Sequence, residues 1–129
     1  MCRVENTIIY AGGEAELSVV ATIDRYDSDY GVWTSQALTQ LSLARSYLAC
    51  ASALDVVMFA GGISLTIAAN TDIYNNTLGK WTTGKPLSKA RKLLSAVTWG
   101  TKLYFIGGVE LTPSAGTLCF QIDTIGCCS

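Results

Sequence analysis

Histidine is absent from the 129 residues. Its absence excludes Ser-His-Asp and Cys-His nucleophilic catalysis, and imidazole-ligated zinc or copper. Charge is scarce as well: 15% of residues are charged, and nine basic against ten acidic residues leave a net charge of −1. With no basic excess, nothing draws the chain to phosphate backbones over distance, so nucleic acid is not an expected partner. Long apolar runs are missing too. No stretch reaches the ~18 continuous apolar residues of a membrane span, and the uncharged segment from Val56 to Ala69 is cut by Gly61-Gly62, so no membrane is expected as a partner. Met1-Cys2-Arg3-Val4-Glu5-Asn6 is not followed by the apolar core of a signal peptide. The expected location is cytoplasmic if Met1 is the natural start. No Walker-type or G-x-G-x-x-G loop occurs, and no cofactor is expected.

Cysteine says little. There are five, an odd number, with no C-x-x-C pair. Cys127-Cys128 reads as two incidental thiols at a frayed terminus, and Cys50, in the apolar stretch from Leu48 to Leu54, as a small core residue. Half of the residues are hydrophobic, which is enough for a packed core.

What the chain does contain is a repeat. Short apolar runs end three times in a glycine doublet: Ile8-Ile9-Tyr10-Ala11-Gly12-Gly13, Val56-Val57-Met58-Phe59-Ala60-Gly61-Gly62 and Leu103-Tyr104-Phe105-Ile106-Gly107-Gly108. The doublets lie 49 and 46 residues apart. Tyr26 and Tyr74, Asp24 and Asp72, and Trp33 and Trp81 each lie 48 apart, and Arg45 and Arg91 lie 46 apart. Gly31 and Gly79 each stand two residues before their Trp, and Leu41-Ser42-Leu43-Ala44-Arg45 is echoed by Leu87-Ser88-Lys89-Ala90-Arg91.

Each period holds strand-like runs between turn residues and no helical periodicity. Four strands are expected in the one complete unit, near Tyr47 to Ser52, at Val56 to Ala60, at Thr71 to Tyr74 and near Lys80 to Thr83. Asp55 and Gly100-Thr101 serve the hairpins between first and second strands. Asn75-Asn76-Thr77-Leu78-Gly79 suits another, since Asn and Gly tolerate left-handed conformations. Before the complete unit come three strands without a first, and after it three without a fourth, with Thr117 to Ile122 as the last third strand.

A doublet closing an apolar strand, then Tyr, then Trp, then Arg before the next strand resembles the kelch repeat. That family's repeat is ~50 residues long and makes one four-stranded blade of a β-propeller. The resemblance runs from about Ile8 to Gly108. It implies an all-β fold, a partial kelch-type propeller of antiparallel blades. A partial blade is expected at about 4–36, a complete one at about 45–84 and a second partial one at about 91–122. Trp33 and Trp81 fit the space between blades, with Tyr26 and Tyr74 beside them, each aromatic burying roughly 150–250 Å². Closure takes ~4–8 blades, so the chain is read as part of a larger propeller, as a unit completed by self-association, or as a gene remnant.

The resemblance implies a non-enzymatic module that binds an unidentified protein through its inter-strand loops. The alternatives are a segment of a propeller enzyme or carbohydrate-binding protein whose active residues lie in other blades, and repeat filler in a structural protein. Copper oxidases of the kelch type use histidine ligands, which this chain lacks. Arg45 and Arg91 carry two readings: they hold acidic partner residues bidentately at the channel mouth, or they bond carbonyls within and between blades. Lys92 breaks the repeat, standing where the preceding unit has Ser46, as Lys89 and Arg25 stand where the other copy has Leu43 and Ile73; such positions suit specificity. The loops Glu14 to Ala21 and Ile63 to Asn70 vary in the same way. The carboxylates of Asp24-Arg-Tyr-Asp-Ser-Asp29 read as a polar turn, since a calcium loop wants more oxygen ligands and a later Glu. Asn75-Asn76-Thr77 is a glycosylation sequon if the chain is secreted.

Overall fold

A computed structural model describes residues 1–35, 39–110 and 122–126. Every regular element among them is a strand. β1 (Cys2–Val4) and β2 (Thr7–Ala11) lead into a small hairpin, β3 (Glu14–Ala15) and β4 (Ser18–Val19); β5 (Ile23–Asp27) and β6 (Val32–Ser35) follow. These make an antiparallel sheet in the order β1-β2-β5-β6. The second sheet takes β7 (Ala49–Ala53), β8 (Val56–Ala60), β9 (Thr71–Asn75) and β10 (Lys80–Thr83) in chain order. The third pairs β11 (Ser95–Trp99), β12 (Lys102–Ile106) and β13 (Ile122–Gly126).

The continuous apolar run of β8 follows from its place in the middle sheet. Successive side chains point to opposite faces. Val57 and Phe59 join Tyr74 against Ile9, Ala11 and Ile23 of the first sheet. Met58 and Ala60 face the other way, with Leu103 and Phe105 of the third and Leu94 just before it. β7 divides likewise: Ala49, Ala51 and Ala53 belong to the second cluster, whereas Cys50 packs on the first. Both faces are buried, so no polar residue interrupts the strand. Each large side chain so buried contributes on the order of 1.5–3 kcal/mol.

Three details depart from the expectations. The first sheet has its own innermost strand, β1, so it is four-stranded. β1 is only three residues long, with no visible alternation, and it turns through Glu5 at φ 49. The same first hairpin position is held by Leu54 at φ 52 and Gly100 at φ 60, so only the third copy uses the residue suited to it. Residues 117–121 of the expected last strand lie outside the described residues, and the strand that pairs with β12 is Ile122–Gly126.

The third departure is covalent. Cys50 is not a free core thiol: it is disulfide-bonded to Cys2, 48 residues away, with Cα atoms 6.1 Å apart. The bond joins β1 to β7, and so the first blade to the second. Closing a loop of this length stabilises by up to about 4 kcal/mol in the chain-entropy account. Cys2→Ser is therefore expected to lower the denaturant midpoint. Dithiothreitol should bring the unmodified chain to the variant's midpoint and leave the variant where it was.

Candidate functional site

The landmarks that recur from unit to unit meet at the junctions between sheets. The chain leaving β6 crosses to the second sheet through Leu41 to Leu48, and along the way it bonds the first sheet's loop: Leu41 N–H donates to Ala21 O (3.0 Å) and Arg45 N–H to Val20 O (3.2 Å). The first glycine doublet receives it, Gly13 N–H donating to Arg45 O at 2.9 Å. The next junction repeats each bond. Leu87 N–H donates to Ala69 O, Arg91 N–H to Ala68 O, and Gly62 N–H to Arg91 O at 2.9 Å. A Cβ at Gly12 would stand 2.6 Å from Arg45 O, and one at Gly61 the same distance from Arg91 O. The doublets are thus seats for the backbone of the following blade, which is why a side chain is missing there.

The guanidinium groups turn inward. Arg45 is 0% exposed. Its Nη2 lies 2.8 Å from Asp72 Oδ2 and 3.4 Å from Phe59 O, and its Nη1 donates to Leu43 O at 3.1 Å. Asp72 also accepts from Ser42 N–H and Oγ–H. Arg91 is equally buried and donates from Nη2 to Phe105 O at 3.1 Å. Neither guanidinium is exposed at the surface of this chain. Of their two readings, the geometry fits the one in which they tie each linking segment into its own blade. Buried positive charge needs carbonyls or a carboxylate around it, and both sites supply them.

Lys92 is half-buried. Its backbone bridges Val109 as Ser46 bridges Ile63. Lys89 reaches Glu110 across 3.5 Å. These two residues, with Thr66, Ile67 and Ala90, line an open groove of about 510 Å³. Arg25 is taken up within its own sheet, by Thr7 Oγ1 at 3.3 Å and Asp27 at 3.7 Å. Asp27 Oδ1 accepts from the backbone N–H of Asp29 and Tyr30, and Asn6 holds Asp29, so the aspartate cluster caps a turn. Asn75, of the sequon, uses its side-chain oxygen to accept from Leu78 N–H. Asp55 ties neighbouring hairpins, accepting from Thr77 N–H. Among the described residues, no three Cys, Asp or Glu side chains converge as a metal site.

The loops after the doublets behave differently. Leu17, at the tip of the β3–β4 hairpin, and Leu65, in the corresponding loop of the second blade, are fully exposed. Sequence reasoning marked these loops as variable but did not single out the leucines; a large apolar residue at the same loop in successive units was the signal available. The tryptophans pair alike inside their blades, Tyr26–Trp33 at 5.1 Å and Tyr74–Trp81 at 5.2 Å between ring centroids. Only Trp81 lies between blades, where it also meets Phe59 at 5.9 Å. Trp33, expected in such a space, is 61% exposed because no sheet among the described residues covers that face. Trp99, at the other end, is exposed as well.

Repeated antiparallel sheets, joined by doublet seats and buried arginines and not closed into a ring, define a partial kelch-type β-propeller. Known proteins agree. The chain is similar to an F-box/kelch-repeat protein of Arabidopsis thaliana, 32% identical over 99 residues, which is 75% of this chain and 22% of that protein. It is also similar to the F-box/kelch-repeat protein SKIP11 of the same plant, 31% identical over 99 residues, 75% of this chain and 21% of that protein. The chain thus spans about a fifth of the length of the curated relatives it matches. No family model matches the sequence.

Proposed function

We propose that the chain is a protein-interaction module without chemistry of its own, and that it meets its partner through the loops that follow the glycine doublets. The observation that carries this reading is the contrast between seat and loop. The doublets, Leu41, Leu87, Arg45 and Arg91 are consumed in holding blades together. Leu17 and Leu65 are held out at full exposure on loops whose sequences differ from blade to blade. Exposed apolar side chains on a rigid scaffold contribute to binding when a partner covers them. Lys89 and Glu110 add a polar border beside the Thr66–Ile67 groove, and Lys92 lies on the linking segment just after Lys89. The kelch-repeat relatives favour the same role.

The test compares cross-linked partners of the unmodified chain with those of a Leu17→Asp, Leu65→Asp, Lys92→Glu variant, after confirming equal melting temperatures. Proteins captured by the first and lost from the second are expected. An identical captured set would remove the loops from consideration.

A further inference from the structure

The two junctions between blades are built alike except at one point. β1 touches β7 at the first, and β7 touches β11 at the second. Cys2 opposes Ile9 across β1 and β2, as Ala51 opposes Met58 across β7 and β8. Cys50 opposes Phe59, as Ala96 opposes Phe105 across β11 and β12. The pair that meets at the first junction, Cys2 and Cys50, therefore has Ala51 and Ala96 as its counterparts at the second. Those alanines only pack, in the cluster of Met58, Leu103 and Phe105. The second junction holds without a covalent bond at the place where the first has one. The bond is thus an addition to a junction that the repeat already knows how to make. Both of its cysteines are half-buried, not sealed in the core, which leaves the bond open to exchange with outside thiols.

We infer that the Cys2–Cys50 bond is a redox latch between the first and second blades, opened by a low-molecular-weight thiol of the glutathione type and closed by the corresponding disulfide. The small thiolate attacks Cys50 Sγ, the bond to Cys2 Sγ breaks, and Cys2 leaves as a thiolate and takes up a proton. A second small thiolate attacks the small-molecule sulfur of the mixed disulfide and releases Cys50 as a thiol. Two small thiols are thereby oxidised to one disulfide, and the two electrons and two protons they give up reduce the protein's bond to two thiols. Cys50 is the site of attack because its place stays reachable. Ala96, its counterpart, is half-buried even with a full blade and its linking segment in front of it, whereas Ala51, the counterpart of Cys2, is 6% exposed. Opening frees the link between blades and leaves each sheet paired, β1 with β2 and β7 with β8. The hydrogen bond from Asn76 Nδ2 to Glu5 Oε2 (3.1 Å) still spans the junction, so the two thiols stay near enough to be rejoined. The latch acts on the junction itself and stands whether or not the loops bind a partner.

The full chain, carrying Cys119→Ser, Cys127→Ser and Cys128→Ser so that one pair is read alone, is equilibrated in glutathione buffers of graded thiol-to-disulfide ratio. Alkylation followed by mass spectrometry should show the bond opening in millimolar reduced glutathione and closing again when the ratio is reversed. Amide hydrogen exchange then compares the two states. Reduction should speed exchange roughly tenfold or more at Gly13, Leu41 and Arg45, whose N–H groups join the first blade to the segment leading into the second. Gly62, Leu87 and Arg91, which make the same bonds at the second junction, should not change. A bond that stays closed in millimolar reduced glutathione is a permanent staple and overturns the inference. Faster exchange at both junctions alike, or at neither, overturns it too, since the bond would then hold the whole chain or hold nothing in particular. The site of attack is read in single variants of the same chain. Oxidised glutathione should modify Cys50 in Cys2→Ser at least roughly tenfold faster than Cys2 in Cys50→Ser. Equal or reversed rates overturn the assignment to Cys50.

Discussion

Arg45→Ala is expected to cost the protein about 3–5 kcal/mol, the range for removing one partner of a buried ion pair. The reason lies in what the change leaves behind. Asp72 is 4% exposed and would keep its two bonds from Ser42 while losing the cation 2.8 Å away. Phe59 O and Leu43 O would lose their donors in the same step. For a domain of this size such a loss lowers the melting temperature by roughly 10 °C or more. Arg45→Lys should recover part of it, since a single ammonium restores the charge but not the fork that reaches Asp72 and both carbonyls. A double-mutant cycle with Asp72→Ala separates the pair from the general cost of truncation. Its coupling should be large, with the double variant losing much less than the sum of the singles. Additive losses in thermal unfolding would mean that the two residues act independently.

Strand positions were open to sequence reasoning because the repeat fixes them. Val56 to Ala60 must be a central strand, since five apolar residues before two glycines have no exposed face to serve. Each later landmark then falls one period away. The direction of the arginines was less accessible. Arg45 and Asp72 lie 27 residues apart, and the same pattern of letters fits a guanidinium aimed at solvent or at the sheet. Only the register of β8 and β9, which sets Asp72 opposite Phe59, shows that the carboxylate waits under the linking segment. The position of Trp33 depends on a neighbour rather than on its own sheet. Its tilted contact with Tyr26 matches that of Trp81 with Tyr74, yet among the described residues only Trp81 has a blade to pack against. The disulfide was legible in principle. Cys2 and Cys50 are one repeat apart, which puts them on the innermost strands of adjacent blades, but β1 was too short to be seen as a strand.

Gly61→Ala should be severely damaging for a single added methyl group. Gly61 sits at φ 69, where an L-residue costs about 1–2 kcal/mol before any contact is counted. The added Cβ would lie 2.6 Å from Arg91 O and 2.9 Å from Leu94 Cδ2. Arg91 O is backbone and cannot swing aside. It is bonded to Gly62 N–H, and its residue is locked through a buried guanidinium. The methyl can be accommodated only if the third sheet backs away from the second, which loosens Leu94, Leu103 and Phe105 from Met58 and Ala60. Gly79→Ala isolates the backbone part of this cost. Gly79 has a similar φ of 61, but a Cβ there meets nothing within 4 Å. Chemical denaturation of the two variants is expected to show a loss of about 1 kcal/mol for Gly79→Ala. For Gly61→Ala the loss should be at least about 3 kcal/mol, as overpacking adds to strain. Equal losses would mean that positive φ alone explains the doublet, and that the close approach of the next blade's carbonyl imposes no demand on it.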